Sequence, residues 1–152
     1  MTPSTVAERI DRIVEEFSDL EGREKLELLL EYAARLPALP EAIAASRTAD
    51  EHRVHECQTP VYLWPEVRGD AARLHAEVAE EAPTVKGFVA ILAEAVADRP
   101  VDEALAIGDD LVDRTGLSGV LGILRARGLR AIVGHTKRGL LEARDADRRG
   151  PG

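Results

Sequence analysis

The sequence predicts an α+β domain in which a small antiparallel sheet is covered by helices. Three observations predict it. Apolar residues recur at steps of three and four through most of the 152-residue chain, the period of an amphipathic helix. The stretch 61–79 breaks that period: it turns β-branched and aromatic, then alternates apolar with charged residues around "RGD", as a hairpin does. Only five residues are Phe, Tyr or Trp, so the core must come from Leu, Val, Ile and Ala, which pack well at helical spacing.

Each element follows in order. Val6, Ile10, Ile13, Val14 and Phe17 form one stripe over about 4–18, with Ser4 or Thr5 placed to cap it. Gly22 separates a second helix, about 23–36, whose face is Leu26, Leu29, Leu30, Ala33 and Leu36. "LPALP" ends it, because proline cannot continue a helix. Residues 37–55 lack periodicity and read as a long loop, a length that often carries function in a compact domain.

Val61 to Trp64 read as a strand, with a turn at 68–70. Leu74, Ala76 and Val78 then alternate with Arg73, His75 and Glu77 along a partner strand; a helix over 70–81 is the alternative. From Thr84, apolar residues occupy most sides (Val85, Phe88, Val89, Ile91, Leu92, Ala95, Val96), which predicts a central buried helix. Short helices follow at "RPVDEALAI" and "DDLVDRTG". A long one over about 121–140 is expected to turn Leu121, Leu124, Leu129, Ile132 and Val133 inward. Residues 1–140 read as one domain and 141–152 as a disordered tail.

Charge and cysteine content narrow the function classes. A net charge of −8 and a pI near 5.1 oppose a nucleic-acid footprint. Basic residues do gather over 125–149, as a solvated helix face or as a docking face for an acidic partner. No apolar run approaches the roughly 20 residues that span a bilayer, and acids at the N-terminus oppose a signal peptide. The lone cysteine excludes an internal disulfide. A cytoplasmic, membrane-free protein is expected.

Chemistry concentrates at "EHRVHECQTPVYLW", where His52, His55 and Cys57 fall within six residues. A zinc site would need a fourth ligand from His75, His135 or a carboxylate, and on a strand His52 would face away from the other two. A Cys–His hydrolase would need an orienting Asn or Asp, and the chain contains no asparagine. A lone thiol is enough for sulfur transfer, since a thiolate can take the outer sulfur of a persulfide with no metal or second cysteine. Free cysteine also often serves as buried filler. On residues alone, filler stands ahead of the other readings.

Four stretches together resemble the SufE-type cysteine desulfuration proteins: "CQTPVYLW" (57–64), "RLPALP" (35–40), "APTVKGFVAIL" (82–92) and "LGILRARGL" (121–129). The resemblance runs from about residue 6 to 135. It implies a SufE/IscU-like fold and a place in iron–sulfur cluster assembly. By that resemblance Cys57 accepts sulfur from the persulfide of a pyridoxal-phosphate-dependent cysteine desulfurase and passes it to a cluster scaffold, acting as a partner of that enzyme more than as one itself. The pyridoxal phosphate belongs to the desulfurase, so this chain needs no cofactor of its own.

The resemblance also implies partner contacts at Arg125, Gln58 and Lys86, against which stand a surface arginine, a glutamine bonded to neighbouring backbone and a solvated lysine; Gly87 reads as a helix-packing glycine, and a monomer or weak homodimer is expected. The chain departs from the family pattern at three places. Glu56 stands where glycine usually precedes the cysteine, Thr59-Pro60 stiffens the chain after it, and Gly122-Ile123 replaces a Ser-Pro helix start. Glu56 should disfavour the thiolate by like charge. The other readings are a helical binding adaptor with an inert buried cysteine, and a small zinc protein using His52, His55 and Cys57.

Overall fold

Strands β1 (Val61–Arg68) and β2 (Ala71–Val78) form an antiparallel hairpin, with Val61 opposite Val78 and Arg68 opposite Ala71. The computed structural model describes residues 4–45 and 50–150. Gly69 and Asp70 make the turn, both with positive φ (54° and 67°); two such residues suit a turn whose twist matches the strands. β1 lies at the sheet edge, where Pro65 interrupts no ladder on its open side. A short β3 (Arg99–Pro100) completes the sheet in the order β1-β2-β3. The alternation read along 73–78 is the observed pattern: Leu74, Ala76 and Val78 are buried, while Arg73 is exposed.

Helices cover one face of the sheet and flank it. α1 (Val6–Ser18) is capped by Thr5, whose hydroxyl accepts from the Glu8 N–H at 3.1 Å. α2 (Gly22–Ala33) starts in a capping box between Glu21 and Glu24. α4 (Pro83–Val96) is the central buried helix, packed on α2 and β2. Gly87 lets α4 approach: a Cβ there would collide with the Leu29 carbonyl of α2. Phe17, Leu29, Phe88, Leu92, Leu129 and Ile132 share one fully buried cluster. Each such side chain contributes about 1.5–3 kcal/mol.

α3 (Glu41–Ala44) and a 3-10 turn (Asp50–His52) lie within the expected loop, whose residues 46–49 fall outside the described ones. α5 (Val101–Leu105), α6 (Leu111–Arg114) and α7 (Leu117–Leu121) precede α8 (Ile123–Arg149), which lies across β1. Gly139 makes that crossing close, since a Cβ there would strike the Pro65 ring.

Three expectations are corrected. The tail is helix as far as Arg149, because Arg144 pairs with Asp102 at 3.1 Å and Arg148 with Asp70 at 3.4 Å; residues 151–152 lie outside the described ones. Leu124 points outward, 67% exposed, because α8 starts after Gly122 (φ 89°) and turns Ala126, Leu129 and Val133 inward instead. Leu30 is likewise exposed, with Leu29, Tyr32 and Ala33 forming the inner face of α2.

Candidate functional site

Cys57 rides a short loop whose two ends are tied together. The Val54 N–H donates to the Val61 carbonyl at 2.9 Å, and Arg53 bridges to Tyr62. Val54 and Val61 are fully buried and anchor the base. The Cys57 N–H then donates to the Val54 carbonyl at 3.2 Å, folding the loop into a turn rather than the strand on which a shared His55–Cys57 face was considered.

The thiol points inward and is only 8% exposed. Its Sγ lies 3.7 Å from the Gly128 carbonyl oxygen on α8, and a Cβ on Gly128 would stand 3.3 Å from the sulfur. Burial first, and the Glu56 charge second, push the Cys57 thiol up to about 11. At rest the group is therefore a protonated thiol. The Glu56 carboxyl is held below its usual range by a hydrogen bond from its own backbone and by His135, whose Nε2 is 3.1 Å from Oε1.

A cleft of about 460 Å³ opens beside the sulfur. One wall is the cysteine loop with Gln58, another the start of α4 at Pro83 to Val85, and the third the first turns of α8 with Leu124, Arg125 and Arg127. Ile123, 80% exposed, and Leu124 project from that rim. Among the described residues neither Arg125 nor Arg127 has a carboxylate partner. The arrangement suits a guarded thiol reached past an apolar and cationic lip.

A family model described as SufE, an Fe-S metabolism associated domain, matches residues 11–140. The chain belongs to the SufE family. It is 37% identical over 142 residues to uncharacterized SufE-like proteins of two Mycobacterium tuberculosis strains, covering 93% of this chain and 97% of theirs. The solution structure of a hypothetical protein from Thermus thermophilus superposes with a TM-score of 0.77 at 31% identity, covering 90% of this chain and 96% of that one. The SufE family is associated with iron–sulfur metabolism, so the resemblance read from the four motifs holds.

Within this SufE fold, Gln58 and Arg125 meet Cys57 at one cleft. Lys86 does not join them: it lines a neighbouring hollow with Pro60 and Tyr62 and reaches Glu80 at 3.2 Å. The zinc reading loses its ligand set, because no group of three or more His, Cys, Asp or Glu gathers to hold a metal among the described residues. His52 instead lies tilted against Trp64, centroids 5.2 Å apart, with Nδ1 3.1 Å from the Leu63 carbonyl. Among the described residues no helix is long and apolar enough to cross a membrane.

Sequence reasoning offered His135 only as a possible fourth zinc ligand and missed its contact with Glu56, Gly128 as the seat of the sulfur, and the Pro83–Val85 wall. The glycine of "RARGL" and the oddity of Glu56 were the available signals.

Proposed function

We propose that this SufE-family chain is a cytoplasmic sulfur acceptor for a pyridoxal-phosphate-dependent cysteine desulfurase. The observation that carries the reading is the placement of the chain's lone cysteine: Cys57 forms part of a cleft wall, sheltered against α8 yet on a loop beside the exposed lip of Ile123, Leu124 and Arg125.

The chemistry balances with these groups alone. Cys57 gives up its proton to solvent or to a donor-site base, and its thiolate attacks the outer sulfur of the donor's persulfide. A bond forms between Cys57 Sγ and that sulfur while the donor's S–S bond breaks. The donor cysteine leaves as a thiolate and takes a proton, so no external oxidant or reductant is consumed. The Cys57 persulfide then returns to the cleft, away from stray thiols, until an iron–sulfur scaffold takes the sulfur by the same exchange. Gln58 and Arg125 contact the desulfurase at the mouth; Lys86 does so from the adjacent hollow.

Incubation with a desulfurase and labelled cysteine, followed by intact-mass measurement, tests this. Wild type is expected to gain one sulfur atom that dithiothreitol removes, and Cys57→Ser to gain none. A wild-type chain that stays unmodified beside an active desulfurase overturns the reading, and an adduct that survives Cys57→Ser overturns the site.

A further inference from the structure

The cysteine loop touches α8 at two places. Cys57 Sγ sits by the Gly128 carbonyl, and the neighbouring Glu56 carboxylate meets His135 Nε2 at 3.1 Å. Residues 128 and 135 are seven apart, two helical turns, so both contacts fall on one face of α8. Arg138, a turn beyond His135, adds positive field at the Glu56 carboxylate. Glu51 and His52 from the turn before the loop, with Glu142 from α8, share a hollow with His135 and Arg138. The residue just before the cysteine is thus a charged arm reaching to the last helix.

We propose that the Glu56–His135 contact is an autoinhibitory latch that holds the Cys57 loop closed on α8, with both residues positioning the thiol rather than reacting. The purpose of the latch rests on the sulfur-acceptor reading; its existence does not. Glu56 acts on Cys57 in two separable ways, both of which slow the thiol. Its charge bears on the thiol wherever the loop sits, whereas its contact with His135 determines how often the loop opens. Removing Glu56 would change both at once. Removing His135 separates them: the latch is lost and the glutamate charge stays beside the sulfur.

The test is the alkylation rate of Cys57 by iodoacetamide at one fixed pH, without any desulfurase. The pair is partly solvated, His135 30% and Glu56 48% exposed, so its loss is expected to speed opening and labelling by about two- to fivefold in His135→Ala. A purely electrostatic role predicts the opposite sign. Without His135 the glutamate charge is less offset, the thiolate is rarer and labelling slows.

Arg130→Ala guards against general loosening, since it cuts an α8 ion pair of similar exposure, Arg130 to Asp113 at 2.9 Å, away from the loop. That variant should label at the wild-type rate. Labelling of His135→Ala at or below the wild-type rate overturns the latch, as does an equal acceleration in Arg130→Ala. A chain that accepts no sulfur from a desulfurase but labels faster in His135→Ala keeps the latch and loses the sulfur-acceptor function.

Discussion

Cys57 Sγ lies 3.7 Å from the Gly128 carbonyl oxygen, and the approach is possible because residue 128 has no side chain: a Cβ would stand 3.3 Å from the sulfur. Gly128 is inside α8, where glycine costs about 1 kcal/mol relative to alanine. The helix gives up that propensity at the point where the thiol seats.

Gly128→Ala is therefore expected to leave stability within about 1 kcal/mol of wild type, because the helix gain offsets the tighter contact. The thiol must yield by a few tenths of an ångström, so Cys57 labelling should rise several-fold. Urea midpoints and alkylation rates measured together check this. Unchanged labelling would mean that Gly128 does not seat the sulfur.

Stability should depend on pH through the same thiol. Folding moves Cys57 from 9.0 up to about 11, so its contribution is present while both states are protonated. As pH rises past 9 the unfolded chain ionises first and folding weakens until the native thiol ionises as well. Between pH 8.5 and 11, wild type should lose roughly 2–3 kcal/mol more than Cys57→Ser. Parallel urea titrations of the two chains across that range give the difference. Superimposable curves would contradict the burial of the thiol as the cause.

Local pattern made most of the fold legible. The stripe of Val6, Ile10, Ile13 and Phe17, the all-round apolar α4 and the alternation along β2 each encode their burial within a dozen residues. Leu124 was misplaced although the period held the answer. It lies five residues before Leu129 and nine before Val133, steps that rotate by about 140° and 180°, so it cannot share their face. The tail escaped because "RDADRR" has no apolar stripe; its helix is held by Asp102 and Asp70, far away in sequence.

The site was legible only in part, for a similar reason. Motifs bring Cys57 forward, but the Gly128 seat and the Glu56–His135 contact join residues 71 and 79 positions apart. Only the docking of α8 across β1 creates them.

Gly87→Ala is expected to destabilise, in contrast to Gly128→Ala. Both glycines are helical, but the atom facing the new methyl at residue 87 is the backbone carbonyl of Leu29, which cannot turn aside as a side chain can. α2 and α4 would have to separate at the centre of the core. A loss of roughly 1–3 kcal/mol follows from overpacking after allowance for the helix gain. The urea midpoint measures it. A midpoint at or above the wild-type value would mean that the two helices are not in close contact there.

Leu124→Asp should separate partner docking from thiol chemistry. Leu124 is 67% exposed and Ile123 80% exposed at the lip of the Cys57 cleft. An aspartate there adds little to unfolding because little is buried in the free chain. In a complex it would place a charge in the contact and offset the neighbouring Arg125, a combination that costs about 1–2 kcal/mol or more at an interface. The concentration of this chain needed to stimulate a desulfurase should rise about tenfold, with urea midpoint and Cys57 alkylation near wild type. Leu30→Asp, an equally polar change at another exposed leucine on α2, should leave stimulation alone. Equal losses in the two variants would mean that charge anywhere on the surface weakens the complex, and the lip would lose its role as the docking face.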